Sequence, residues 1–175
     1  MLWIIGLPDL LRRFGLLALL GAGLSASFAV AAATPPPAFL DLIDHPTSEA
    51  NWDRFHGLED RLAAAFFAAC GNGGCLPRRR LWPMQLRCSV RVADGTVAAC
   101  LWVVAGSDLR VRASGHIERD VVVWRCVLPT GPGLAVDAFH AALEVARPLS
   151  VRLPGASSTL GERLRTCLSR PGTAS

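Results

Sequence analysis

The sequence predicts an α+β fold, a four-stranded antiparallel meander with a long N-terminal helix and two C-terminal helices packed on it and braced by disulfides. Apolar residues recur at helical spacing before position 71 and after position 133, and at strand spacing between 86 and 128. Short turn signals separate the strand-like runs, as in strands that are neighbours both along the chain and in the sheet. Six cysteines, an even number, all follow position 69.

The composition is that of a single folded domain. Of the 175 residues, 51% are hydrophobic and 18% are charged, which is the opposite of a disordered composition. All 18 basic residues are arginine, and the net charge is +4. Loss of an N-terminal signal carrying Asp9, Arg12 and Arg13 lowers the net charge from +4 to +3. An excess this small does not predict nucleic-acid binding.

Residues 1–33 have the three parts of a cleavable secretory signal. Arg12 and Arg13 form the positive part, and the apolar run 14–24 (FGLLALLGAGL) follows them. This run is shorter than the roughly 20 residues that a membrane-spanning helix needs. Small residues then lead to a cleavage site after Ala33, with Ala31 as the alternative.

The signal predicts a periplasmic or secreted protein with no stable membrane anchor after cleavage. Two alternatives stay open, because adjacent arginines also fit the twin-arginine route and an uncleaved signal would act as an anchor. No cysteine lies near the cleavage site, which argues against a lipid anchor.

Three further segments follow the signal. An extended, proline-rich leader is expected at residues 34–46, because three prolines follow Thr34. The single α+β domain is expected at residues 47–169. Residues 170–175 are expected to form a frayed tail.

The first predicted helix begins at Thr47 or Ser48, because either hydroxyl can cap a helix that follows Pro46. It ends at Cys70–Gly71, where glycine can adopt the left-handed cap conformation. Apolar residues at three- and four-residue steps predict its buried stripe: Trp52, Phe55, Leu58, Leu62, Phe66 and Ala69.

Four strands are predicted next. Residues 86–92 alternate apolar and polar positions, and the hairpin signal Asp94–Gly95 follows them. Residues 96–105 are apolar on both faces, which is typical of a central strand. A turn at Ser107–Asp108 leads to a third strand at 109–113, and a turn at Ser114–Gly115 leads to a fourth at 117–128.

The C-terminal third returns to helical spacing. Gly131–Pro132–Gly133 ends the sheet, and a helix is predicted at 134–146. Residues 149–153 alternate and predict a short edge strand. Thr159 and Glu162 form a capping-box pair for a final helix at 160–168.

The cysteine spacing predicts three disulfides, which are typical of an exported chain. Cys70 and Cys75 enclose a flexible Gly-Asn-Gly-Gly loop and predict the first bridge. A three-residue turn at 93–95 places Val92 opposite Thr96 and Cys88 opposite Cys100, which predicts the second bridge. A two-residue turn would place Leu101 opposite Cys88 instead, so this alternative stays open. The remaining pair, Cys126–Cys167, would dock the last helix on the sheet.

The strongest candidate binding site is the basic run Arg78, Arg79 and Arg80 with Trp82. Guanidinium groups beside an aromatic ring recognise acidic, phosphate or glycan partners. The alternative is a solvated loop before a strand. Two further arginine pairs, Arg110 with Arg112 and Arg87 with Arg91, would line one sheet surface if their strands are adjacent.

No catalytic, metal or cofactor motif is present. Cys70 follows a helix instead of beginning one, where the helix dipole opposes a reactive thiolate, so a structural bridge is favoured over a redox pair. His116 with Glu118 and His140 with Glu144 each offer two ligands, and the spacing indicates no third. We therefore expect no metal site and no cofactor.

These observations favour a small exported protein that binds another protein or an envelope component, of inhibitor, immunity or envelope-accessory type, and does not catalyse. The alternative is a secreted hydrolase with a dispersed active site, which sequence inspection does not detect.

Overall fold

The computed structural model describes residues 38–174. The predicted signal and residues 34–37 of the leader lie outside the described residues. The elements in chain order are β1 (Phe39–Asp41), α1 (Glu49–Cys70), β2 (Arg80–Arg91), β3 (Thr96–Val111), β4 (Ile117–Leu128), β5 (Leu134–Ala135), α2 (Val136–Leu143), α3 (Leu160–Leu168) and β6 (Thr173–Ala174). Single 3₁₀ turns lie at Leu42–Asp44, Gly71–Gly73 and Pro148–Ser150.

The predicted α+β class is confirmed. The strands form one antiparallel sheet in the order β1-β2-β3-β4-β6, and β5 pairs with the start of β3. Four of these strands, β1 to β4, are neighbours in chain order. The long pairings of β2 with β3 and of β3 with β4 form the platform that carries the helices.

The helices cover one face of the sheet. On β3 and β4 the residues turned toward the helices, such as Trp102, Val104 and Cys126, are buried, whereas their neighbours along each strand are half-buried or exposed. We call the opposite side the outer face; its central apolar residues are Leu101, Val103, Ala105, Val121, Val123 and Val127.

Helix α1 begins and ends close to its predicted limits. The Ser48 side chain accepts a hydrogen bond from the Asn51 amide at 3.2 Å, which satisfies one of the free donors at the helix start. Phe55, Leu58, Leu62 and Phe66 are buried as the spacing predicts. The predictions for Trp52 and Ala69 are wrong: Trp52, in the first turn, is 54% exposed, and Ala69, in the last turn, is exposed.

The helix C-terminus differs from the prediction in one detail. Gly71 does not adopt the left-handed conformation, since its φ is −62°. The positive φ values fall on Asn72 (51°) and Gly73 (83°), within the loop that the Cys70–Cys75 disulfide closes. Asparagine and glycine are the residues that tolerate this conformation.

The predicted turn at Ser107–Asp108 is wrong. Strand β3 continues to Val111, and Ser107 and Asp108 lie opposite Val121 and Asp120 of β4. Continuous pairing with β4 satisfies the backbone there, and this outweighs the local turn preference of a Ser-Asp pair. The segment 109–113 is therefore the distal end of β3 and not a separate strand.

The expected leader contributes the fourth strand instead. Phe39–Asp41 pairs with β2, and the 3₁₀ turn at Leu42–Asp44 follows, so the described part of the leader is not extended chain throughout. The buried Asn51 side chain fixes the turn that follows, because its amide donates to the carbonyls of Leu42 and Ile43 at 3.0 and 2.8 Å. A side chain of α1 thus ties β1 to the body of the domain.

The C-terminal third also departs from the prediction. The second helix is limited to Val136–Leu143, since Leu134–Ala135 pairs with β3. No strand forms at 149–153, because the Ser150 and Val151 amides bond back to Arg147 and Pro148 in a 3₁₀ turn. Helix α3 and its Thr159–Glu162 capping box are confirmed.

The expected frayed tail is attached to the sheet. The Trp124 indole donates to the Arg170 carbonyl at 2.9 Å, and Thr173–Ala174 pairs with Val122 and Val123 of β4. A buried indole N–H needs an acceptor, and the edge of β4 needs a neighbour. Residues 170–174 meet both requirements, and they are therefore held against the sheet.

The structure contains the disulfides Cys70–Cys75, Cys88–Cys100 and Cys126–Cys167, and no cysteine is free. The hairpin register that predicts the second disulfide is wrong. Arg91, and not Val92, lies opposite Thr96, and the turn comprises residues 92–95. A bulge at Ala98 then shifts the register by one residue, so Cys88 still faces Cys100. Three disulfides without a free thiol indicate an oxidising, non-cytoplasmic location.

Within the described part of the chain, no helix has the length and apolar character needed to cross a membrane.

Candidate functional site

All four predicted binding residues line one groove. Arg78, Arg79, Arg80 and Trp82 surround a depression of about 550 Å³ at the start of β2. We call it the arginine groove; Phe67, the disulfide loop at 71–73, Asp108 and Leu109 line the rest of it. The structure brings these four residues together in one groove, and their role in binding stays a prediction.

Three elements position the arginine groove. The C-terminal turn of α1 supplies Phe67, and the Cys70–Cys75 disulfide holds the following loop against that turn. The chain then enters β2, where Arg80 and Leu81 pair with Ser107 and Gly106 of β3. Leu81 is buried and forms the floor, so the polar groups stand on a rigid apolar base.

The three arginines have different roles. Arg79 is half-buried and forms an ion pair with Asp120, so its guanidinium is held in place by the fold. Arg78 and Arg80 are exposed, and neither side chain has a hydrogen bond or ion pair among residues 38–174. The groove therefore presents two cations that are available to a ligand.

An exposed aromatic pair forms one wall of the groove. The Trp82 ring is 62% exposed and lies edge-on to Phe67, with 5.0 Å between the ring centroids. The contact holds both rings in fixed positions, at little further entropic cost to a ligand. Aromatic and arginine side chains together are the composition of binding hot spots.

The acidic residue at the edge of the groove is already engaged. A side-chain hydrogen bond from Arg110 lowers the pKa of Asp108, and the charges of Arg79 and Arg78 lower it further. Asp108 therefore remains an anion whose main partner is Arg110. It does not neutralise Arg80.

Phe67 is the groove residue that the sequence analysis did not identify. The signal is the Phe66–Phe67 pair in α1: adjacent helical residues point about 100° apart, so only one of two neighbouring rings can face the core. Phe66 is fully buried, and Phe67 is 39% exposed. Adjacent aromatic residues on an amphipathic helix thus indicate an outward ring.

The two other arginine pairs do not form one surface. Strands β2 and β3 are adjacent, but Arg87 occupies an outer-face position, whereas Arg110 lies in the register row of the buried Trp102 and Val104. Arg112 forms an ion pair with Glu118, and Arg110 is paired with Asp108. These charges at the end of the β3–β4 hairpin are therefore compensated within the fold.

The two His–Glu pairs do not form metal sites. Arg54 bonds the Glu144 carboxylate at 2.7 Å and Asp137 at 2.8 Å, while His140 is fully buried, and burial lowers its pKa to about 4. Among residues 38–174, no group of three His, Cys, Asp or Glu side chains is arranged to hold a metal ion. In the same range, no histidine hydrogen-bonds a hydroxyl group, so the geometry shows no nucleophile–base pair.

Comparisons of the chain with protein-family models, with curated proteins and with solved structures found no match. The oxidising environment, the α+β fold and the arginine groove are therefore the basis for a functional proposal.

Proposed function

We propose that this protein is exported to the periplasm or the cell exterior and acts there by binding an acidic segment of another protein or envelope component. The observation that carries the proposal is the arginine groove, where two exposed guanidinium groups without an ion-pair partner among the described residues lie beside an exposed aromatic pair. The predicted signal and the three disulfides support the location.

The groove fits a ligand that combines a carboxylate or phosphate with an apolar group. Arg78 and Arg80 would bond the anionic group, and charge-assisted hydrogen bonds of this kind are stronger than neutral ones. Trp82 and Phe67 would contact the apolar neighbour. An inhibitor, an immunity protein or an accessory subunit each acts through such a contact, without chemistry at the site.

A photocrosslinking experiment tests where the partner binds. p-Benzoylphenylalanine is placed at Trp82 in one variant and at Trp52 in another, since both side chains are more than half exposed. After irradiation in the native envelope fraction, a discrete adduct is expected from position 82 and not from position 52. Equal adducts from both positions, or none from position 82, would refute binding at the groove.

A charge-deletion experiment tests the role of the arginines with the captured partner. Arg78→Gln with Arg80→Gln should raise the dissociation rate by about tenfold or more, because two charge-assisted hydrogen bonds are lost. Arg79 is left unchanged because it is paired with Asp120. The matched control, Arg152→Gln with Arg165→Gln, removes two exposed charges elsewhere and should leave the rate unaltered. Equal dissociation rates in the two double variants would show that Arg78 and Arg80 lie in a solvated loop and do not bind the partner.

A further inference from the structure

The outer face of the sheet is apolar although no described element covers it. Residues 96–105 have the pattern of a strand buried on both sides, and β3 is indeed the central strand. Its helix-facing side is buried, but Leu101, Val103 and Ala105 on the other side are only half-buried. In the register these residues adjoin Val127 and Val123 of β4, which continues the apolar surface.

Two adjoining hollows lie on this face. One, of about 440 Å³, is lined by Phe39, Ala99, Leu101 and Val127. The other, of about 510 Å³, is lined by Met84, Val103, Ala105 and Val123. Phe39, Met84 and Val127 are each at least half exposed. Contiguous exposed apolar surface of this kind marks an interaction site.

The charged residues at outer-face positions of β1 to β4 are mainly arginine, and of these Arg87 lines both hollows. Arg80, Arg87 and Arg91 occupy outer-face positions on β2, and Arg119 and Arg125 occupy them on β4. Asp41 is the one acidic residue at an outer-face position of β1 to β4, and it is paired with Arg87. The Glu59 side chain borders one hollow, where it accepts a hydrogen bond from the Leu86 amide.

We propose that the outer face is a second interaction surface, which binds a protein whose contact patch has apolar side chains at its centre and carboxylates at its rim. Charge complementarity determines this choice of partner. A second copy stacked about a two-fold axis would place an arginine rim against an arginine rim, which costs free energy. This surface shares the edge at Arg80 and Trp82 with the arginine groove, but its apolar centre at Leu101, Val103 and Val127 lies outside the groove.

A selection from a defined library tests the proposal. The purified chain is used to select from displayed small helical domains with one randomised face. The selected faces should have apolar centres and an excess of Asp and Glu at the rim. Their affinity should fall at least tenfold with Val127→Asp and also with Arg119→Glu.

Matched controls separate this surface from the groove and from general effects of added charge. Val145→Asp and Arg152→Glu make the same changes at exposed positions away from the sheet and should leave affinity unaltered. Arg78→Gln removes a cation of the groove that precedes β2 and lies outside the sheet, and it should also have no effect, so failure here is distinct from failure of the proposed function. Circular dichroism confirms that each variant is folded.

Three results would overturn the proposal. The first is that selected domains bind Val127→Asp as tightly as the unmodified chain. The second is a homodimer in sedimentation that Val127→Asp converts to monomer, which would assign the face to a second copy. The third is retention on phosphatidylglycerol vesicles that Val127→Asp abolishes while no selected domain distinguishes the variants, which would assign the face to a lipid surface.

Discussion

His140 shows what a single buried polar side chain does to the stability of this domain. It lies on α2 near Asp137 of the same helix, Glu144 just after the helix, and Arg54 and Arg61 of α1. Neither ring nitrogen has a hydrogen-bonding partner among the described residues. Burial is the main cause of its lowered pKa, and the charge of Arg54 adds to it. The folded protein therefore keeps the imidazole neutral.

A prediction for pH follows from this lowered pKa. The unfolded chain protonates His140 near pH 6.5, whereas the folded chain does so only near pH 4. The contribution of His140 to the free energy of unfolding is therefore fully present above pH 6.5. About 3 kcal/mol of stability is lost through this group as the pH falls toward 4. His140→Leu should remove that part of the slope in urea unfolding between pH 7 and pH 4.

The matched control is His116→Leu, which changes an exposed histidine and should leave the slope unaltered. If His140→Leu retains the full slope, the imidazole is protonated in the folded state. His140→Leu should also equal or exceed the original stability at pH 7, because it replaces an unpaired polar ring by an apolar side chain.

At the scale of elements, the first and third disulfides along the chain should contribute unequally to the free energy of unfolding. The Cys126–Cys167 bridge joins β4 to α3 across 41 positions, whereas Cys70–Cys75 spans five. The loop-entropy relation gives roughly 4 kcal/mol for the long ring and roughly 2 for the short one. Cys126→Ala with Cys167→Ala should therefore destabilise the domain more than Cys70→Ala with Cys75→Ala.

Hydrogen exchange locates this effect. Amides of α3 should exchange faster without the Cys126–Cys167 bridge and stay near their original rates without the Cys70–Cys75 bridge. Equal protection of α3 in both variants would show that its buried residues, Leu160, Leu164 and Leu168, hold the helix without the crosslink.

Local signals predict an element well where nothing outside that element decides its limits. The bounds of β4 follow from the turn signals on either side of it, and those of α3 follow from a capping box, and all of these signals are local. The length of β3 does not follow from local signals, because pairing with β4 holds Ser107 and Asp108 in the strand. β1 and β6 are too short to show a period, and they exist because they satisfy strand edges.

At the scale of the whole molecule, the candidate site depends on contacts that sequence spacing does not contain. Residue type alone identifies Arg78, Arg80 and Trp82, but their availability depends on Arg79 engaging Asp120, which is 41 residues distant. The apolar outer face is visible in the sequence as a strand without a polar side. Its exposure depends on all three helices lying on the other face of the sheet.

Complete reduction of the disulfides should unfold the described domain. The three rings, 70–75, 88–100 and 126–167, do not overlap in sequence, so their effects on the unfolded chain add to about 9 kcal/mol. That is comparable to the whole stability of an ordinary domain, which is about 5–15 kcal/mol. Reduction and alkylation at 25 °C should therefore abolish the near-ultraviolet circular dichroism of buried Trp102 and Trp124.

The control for this last experiment is the variant that lacks Cys70 and Cys75, which should keep its near-ultraviolet signal because only the shortest ring is lost. A native signal from protein whose mass shows six alkylated cysteines would mean that the hydrophobic core alone holds the fold. Loss of the signal would mean that the fold requires an oxidising compartment, since the reducing cytosol would not maintain the bridges. An oxidising location would then be a condition for folding.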